Sequence, residues 1–404
     1  MTGSATATSA TSTVTAPAAT SPGVTLLDRH LAVPVAGEVL HFHYVWLRDN
    51  CWCSECRVGQ TTERQVYTAD IGAETAPLAA VLGADGSLRI TWNDGHSSAY
   101  SAGWLRAYDY SERARAARRH TPTLWDATLD PVPTFEHDAV VGTDEGQLAY
   151  LDAVRDYGVA LVRNTPSEPG DVERFAQTIG HVRETAFERI HNVRHDPAGY
   201  SVAHTAAELK PHTDLPSYHW PPSIQLLHFL VNDANGGEST VTDGWAVLAD
   251  LRAEDQRAFD TLCRVPVTFQ VFSEDEDTRA TAPIVQLDSE GRVSTFRFSN
   301  HLAQPLDAAF DDVEAFYSAY RRLGRMLAGD RYKVAFKTAS GDLLTVHGHR
   351  VLHGRLSFDP ASGARHLQDV YMEYDDLMAR RRVLLGDHKP LPATAGVRAS
   401  EDQS

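Results

Sequence analysis

His212 and Asp214, separated by one threonine in KPHTDLPSYHW, and His353, far downstream in HRVLHGR, are residues whose types suit a catalytic metal. Two imidazoles and one carboxylate on one side of a cation leave the other side open, as in non-haem Fe(II) centres that use O2. The Pro-rich turn carrying His212 runs into the apolar stretch SIQLLHFLV, and His353 follows the strand-like DLLTVHG. Surface histidines, or core histidines already hydrogen-bonded, would give the same spacing, so spacing alone leaves that alternative open. Arg365 opens a later stretch, RHLQDVYMEYDD. A 2-oxo diacid chelated to the metal must lodge its distal carboxylate deeper in the protein, where a guanidinium matches it with two parallel hydrogen bonds. Ser239, in GGEST, could donate to the same carboxylate, and the alternative for Arg365 is an ion pair with Asp369 or Glu373.

A second group of chemical residues sits near the amino terminus. Cys51, Cys53 and Cys56 crowd into NCWCSEC, while Cys263 stands alone. Three thiols so close cannot all pair with one another, and a Cys51–Cys53 disulfide would be badly strained. Three thiolates of a structural zinc site, with a fourth ligand from elsewhere, explain the spacing better; reduced buried thiols are the alternative. The nearest downstream histidine is His96, in TWNDGHSSAY, whereas His41 and His43 lie on the preceding strand-like HFHYVW. A zinc ion held by four protein ligands staples a fold and takes no part in turnover.

The elements that must position these groups can be read from hydrophobic patterning. Short alternating runs from Val24 to about Tyr110 suit a small β-rich module. The basic stretch ERARAARRH and the Pro-punctuated TPTLWDATLDPVP mark a boundary. Beyond it, GQLAYLDAVRDYG and DVERFAQTIG have helical spacing, with Asp171 as the expected N-cap. AVLADLRAEDQRAFDTL and DAAFDDVEAFYSAYRRLGRML are also helical, among many short strands. The expected fold is therefore mainly β with peripheral helices, a barrel or double-sheet jelly roll. The expected divisions are a disordered leader (1–24), the β-rich domain (25–115), a linker (116–135), the jelly-roll domain (136–385) and a flexible tail (386–404). The leader is Ala, Ser and Thr without charge or an apolar core, so a cytoplasmic address is expected. Across 404 residues the net charge is −17 and no basic block appears, which argues against nucleic acid. No apolar run approaches the ~18 residues of a membrane span.

Taken in order, LKPHTDLPSYHWPPSIQLLH, GGESTVTDG, FRFSN, HRVLHGR and RHLQDVYMEYDD resemble the gamma-butyrobetaine hydroxylase and trimethyllysine hydroxylase branch of the taurine dioxygenase superfamily. VWLRDNCWCSECR with TWNDGHSSAY resembles the zinc module of the same branch, and together the motifs cover most of residues 38–385. The resemblance implies a double-stranded β-helix with iron on His212, Asp214 and His353. It implies zinc on Cys51, Cys53, Cys56 and His96, and 2-oxoglutarate on Arg365, with Ser239 where relatives place threonine. O2-dependent hydroxylation of a small molecule with release of succinate and CO2, and a homodimer, are implied likewise. Asp214 sets the chain apart from halogenating relatives, which lack that carboxylate.

The substrate expectation rests on departures from the branch. Its trimethylammonium cage is aromatic, and Tyr371 matches one position. His204 replaces a tyrosine, Phe187 and His191 fall where tyrosine and tryptophan are expected, and Asn300 is taken as a further contact. Imidazoles weaken cation–π attraction and repel a cation when protonated. The expected substrate is a biosynthetic intermediate without a trimethylammonium group. The alternatives are gamma-butyrobetaine itself and, from another class, a non-catalytic zinc-stapled binding protein.

Overall fold

The strand Arg365–Met372 shows how the catalytic unit is built. Successive side chains point to opposite sides of a strand, so Arg365, Leu367, Asp369 and Tyr371 share one face while Val370 and Met372 share the other. Leu367 packs between two sheets with Phe229, Val241 and Leu344, whereas Val370 and Met372 pack under helices with Tyr150 and Phe175. The computed structural model describes residues 19–195, 204–273 and 276–395. They divide into two compact units, Thr121–His388 and a smaller unit of residues up to His120 together with those from Lys389 onward.

In the larger unit a six-stranded sheet runs in the order His191–Arg194, Arg365–Met372, Ile224–Asn232, Leu343–His347, Val159–Arg163, Thr134–Glu136. All its pairs are antiparallel except the last. A four-stranded antiparallel sheet, Leu209–His212, Val351–Arg355, Ser239–Asp243, Lys333–Phe336, forms the second layer. The result is a jelly-roll-class fold, mostly β with peripheral helices. Helix Asp144–Tyr157 is capped by Thr143 Oγ1, which accepts from Gly146 N at 3.0 Å, and ends at Gly158 with φ 74°. Helix Asp171–Gln177 begins one residue earlier than expected: Gly170 is its N-cap, and Asp171 accepts from Glu168 N instead. The expected single helix after Asp243 is two, Gly244–Glu254 and Gln256–Arg264, because Asp255 leaves helical geometry and caps the second through Ala258 N. Asp243 and Arg350, both fully buried, form a bidentate ion pair at 3.0 and 2.8 Å.

The smaller unit pairs two mostly antiparallel sheets around Trp92, Tyr100, Phe42 and Leu31. Its limits differ from the expected ones. Residues 1–18 of the expected leader lie outside the described residues, and Ala19–Thr20 forms a short parallel strand against Pro77–Leu82. The expected linker is largely part of the catalytic unit, because Trp125 is buried and donates its indole N–H to Tyr157 O at 2.7 Å. The expected tail is anchored in part: Ala393 is fully buried and its carbonyl accepts from Ser101 N at 2.7 Å. Residues 396–404 lie outside the described residues. No described helix is long and apolar enough to cross a membrane.

Candidate metal centre and cavity

His212 ends one strand and stands opposite His353 in the neighbouring strand. The strands approach so closely that a Cβ on Gly354 would lie 2.5 Å from Leu209 O, so glycine is needed beside His353. Thr213 is held by two hydrogen bonds to Phe298, its N–H donating at 2.7 Å and its Oγ1 accepting at 3.0 Å. The chain then turns sharply at Leu215, whose φ of 48° lies in the left-handed region. Arg297 donates to the carbonyls of Tyr218 and His219, fixing the Pro-rich turn from below.

These constraints bring His212, Asp214 and His353 together, with ligand atoms all within 4.8 Å of one another. His212 Nε2 lies 3.2 Å from Asp214 Oδ1, and His353 Nε2 lies 3.8 Å from the same oxygen. His212 Nδ1 donates to Lys210 O at 2.9 Å, which leaves the Nε2 lone pair free for a cation. Burial, then the neighbouring His212, pulls the His353 imidazole down to about 4. Burial would raise the Asp214 carboxyl, but His353 and His212 outweigh it and hold it well below the usual range. Two imidazoles around an ionised carboxylate form a donor set that fits a divalent cation.

The triad opens onto a cavity of about 470 Å³ between the two sheets. Arg365 and Ser239 line it. The Arg365 guanidinium is mostly buried, its Nε has no hydrogen-bond partner, and burial with the adjacent Arg355 pulls it down to about 9. The expected alternative, an ion pair with Asp369 or Glu373, is not formed. Glu373 binds Arg183 and Ser223, and Asp369 binds Gln225 and faces His191. A mostly buried guanidinium with no acidic partner among the described residues, in the triad's cavity, fits an incoming carboxylate.

Of the expected substrate contacts, Phe187, His191 and Tyr371 line the cavity. Phe187 stacks on His191 at 4.8 Å, and the Tyr371 hydroxyl donates to Asp214 Oδ2 at 2.8 Å. His204 is buried behind them, edge-on to His191 at 5.9 Å, and does not line the cavity. Asn300 is corrected: it lies exposed in a turn, accepting from the Tyr320 hydroxyl, and the next residue, His301, reaches the cavity 5.3 Å from His212. Of the other aromatics that could rebuild a cage, Tyr218 and Trp220 do not line the cavity, and Tyr200 lies outside the described residues. Sequence reasoning also missed Gln225 and Asp369. Period-two alternation in SIQLLHF and RHLQDVY would have placed both on the cavity face.

In the smaller unit, Cys51, Cys53, Cys56 and His96 converge within 4.8 Å. The three Sγ atoms lie 3.2, 3.5 and 3.5 Å from His96 Nε2, with His96 carried on the turn between strands Leu88–Trp92 and Ser97–Tyr100. Burial and the neighbouring thiols push the Cys56 thiol up to about 12, so the cluster favours a cation that would share the thiolate charge.

An open triad and a buried guanidinium in one jelly-roll cavity define a non-haem oxygenase that uses a 2-oxo acid. The chain belongs to the taurine catabolism dioxygenase TauD, TfdA family, whose model matches residues 86–371, and it is a 2-oxoglutarate-dependent dioxygenase. The gamma-butyrobetaine hydroxylase-like N-terminal family model matches residues 27–112. The chain is 40% identical over 351 residues to a gamma-butyrobetaine dioxygenase from Pseudomonas sp. (strain AK-1), covering 86% of this chain and 91% of that one. It is 29% identical to the Homo sapiens gamma-butyrobetaine dioxygenase, over 84% of this chain and 90% of that one. The trimethyllysine dioxygenase of Gallus gallus is 28% identical, over 92% and 90%.

Proposed function

We propose that this protein is an Fe(II)/2-oxoglutarate hydroxylase of a small metabolite, with iron on His212, Asp214 and His353. The observation that carries the reading is Arg365, a mostly buried guanidinium with no acidic partner among the described residues, in the cavity onto which the triad opens. Arg365, with Ser239, would hold the distal carboxylate of 2-oxoglutarate and orient its keto acid end toward the triad. The chemistry such a centre supplies when loaded is oxygenation of an unactivated C–H bond, coupled to conversion of 2-oxoglutarate to succinate and CO2. Cavity walls of Leu227, Phe229 and Leu344 keep the reacting region dry. Cys51, Cys53, Cys56 and His96 would hold a structural zinc, the family resemblance supports a homodimer, and the uncharged leader supports a cytoplasmic address.

For the substrate we favour a molecule without a trimethylammonium group. An all-aromatic cage needs electron-rich faces, and here one wall is His191 beside Asp369 at 3.1 Å. Burial lowers the His191 imidazole, but Asp369 outweighs it and raises the group, making it a poor neighbour for a quaternary cation. Gamma-butyrobetaine is the second reading, favoured by the 40% identity to the Pseudomonas enzyme and by Tyr371 and Phe187 in the cavity. Iron-loaded enzyme with 2-oxoglutarate and candidate substrates, followed by succinate release, decides between them. Efficient carnitine formation at micromolar gamma-butyrobetaine establishes the second reading and rejects the first. No succinate with any substrate, from iron-loaded protein, rejects the hydroxylase reading and leaves the binding protein.

A further inference from the structure

Gln225 lies on the strand Ile224–Asn232, directly opposite Tyr371 in the adjacent strand. Its amide nitrogen stands 2.6 Å from Asp214 Oδ2 and 2.7 Å from Asp369 Oδ2. Carboxylates only accept hydrogen bonds, so the nitrogen must face both, with one N–H given to each. Gln225 and Asp369 are buried at 4% and 2% exposure, where an unmatched donor or acceptor is costly and this arrangement is correspondingly firm. The Tyr371 hydroxyl adds a second donor to the same Asp214 oxygen at 2.8 Å. Asp214 Oδ2 is therefore bonded twice, and Oδ1 is left facing His212 Nε2 and His353 Nε2.

We infer that Gln225 is a positioning residue for the metal carboxylate. It turns Asp214 so that a single oxygen, Oδ1, is offered to the cation, and it ties that ligand to Asp369 on the cavity wall. The inference rests on the proposed metal centre at His212, Asp214 and His353. A carboxylate free to rotate would offer both oxygens and close a position that an oxygenase centre must leave open. Groups that hydrogen-bond a metal ligand commonly change metal affinity about 10- to 100-fold when removed. Gln225 differs from an ordinary partner of this kind because the same amide also holds Asp369, so a change at either carboxylate is felt by the other.

The test is an anaerobic Co(II) titration of the full-length protein, followed by the d–d absorption of the bound ion. The component that disappears in His212→Ala belongs to the triad, which separates it from any metal at the cysteine cluster. In Gln225→Leu this component should bind about 10- to 100-fold more weakly and show an altered band shape, with far-UV circular dichroism unchanged. Gln225→Glu keeps the side-chain shape but offers at most one donor, and should fall between wild type and Gln225→Leu. Wild-type affinity and spectrum in both variants would overturn the role of Gln225 while leaving the triad intact. Absence of any His212-dependent signal in the wild type would reject the metal centre and this inference together. Should Gln225→Leu fail to fold, Gln225→Glu decides alone, and a wild-type result in it overturns the inference.

Discussion

Replacing Arg365 with methionine removes the guanidinium while keeping most of its aliphatic stem between Phe229 and Phe358, whose rings lie 5.6 and 5.8 Å from the guanidinium carbon. Burial and Arg355 pull this guanidinium down to about 9. The charged form is therefore disfavoured where no carboxylate stands beside it. The distal carboxylate of 2-oxoglutarate would supply two charge-assisted hydrogen bonds and an opposite charge. Truncating one partner of such a buried pair costs about 2–5 kcal/mol, or about 30- to 5000-fold in affinity. Two effects of opposite sign are therefore expected from Arg365→Met: far weaker binding of 2-oxoglutarate, and an unliganded protein that is no less stable than wild type. Anaerobic thermal unfolding of the Fe(II)-loaded protein at increasing 2-oxoglutarate reads both. The wild-type midpoint should climb with ligand as mass action requires. The variant should start at the same temperature or higher and stay flat until at least about 30-fold more ligand is present. A variant that responds to 2-oxoglutarate as wild type does would refute the assignment. One that starts several degrees lower would show that Arg365 is structural.

Three further outcomes are expected. His212→Ala, Asp214→Ala and His353→Ala should each abolish 2-oxoglutarate turnover with the fold retained by circular dichroism, since each would remove one of the three proposed ligands; near-normal turnover in an iron-loaded variant removes that residue from the centre. Cys53→Ser should lower the unfolding temperature and the zinc content together while sparing iron binding, and a zinc-free, fully stable wild type would dismiss the zinc site. The His191 value is raised in the folded state, so its pairing with Asp369 stabilises fully below the unfolded value near 6.5 and is lost as pH rises through the folded value. The stability gap between wild type and His191→Asn should accordingly be widest in mildly acidic buffer and narrow as pH increases. Denaturant unfolding across that range measures it, and a gap that widens with pH contradicts the pairing.

How much of this could be read in the residues depends on whether the signal was local. His212 and Asp214 share one tripeptide, and the three cysteines share one hexapeptide, so their chemistry was visible before any fold was known. His353 and His96 could be joined to them only weakly by spacing and more firmly by resemblance, because strand pairing and a hairpin turn bring them in from afar. Segment boundaries failed for a different reason. TPTLWDATLDPVP has a linker's composition, yet one residue, Trp125, supplies enough buried surface and a backbone N–H bond to Asp243 to anchor it. Ala393 anchors the carboxy-terminal segment in the same way, and a single small apolar residue leaves no periodic trace. Asn300 and His301 are neighbours, and that single step decides which side chain faces the cavity and which turns away from it. The instructive misses are Gln225 and Asp369. Both sit on strands recognised from their apolar runs, but a polar residue inside such a run reads as noise unless its face is counted. Counting from Arg365 in steps of two reaches Leu367, Asp369 and Tyr371, and counting back from Phe229 reaches Leu227 and Gln225. Both progressions end beside Asp214, where its carboxylate and the buried carboxylate of Asp369 share one amide. A buried acidic side chain on a barrel's inner face is too costly to persist without a partner, so its position on that face is itself the pointer to a site.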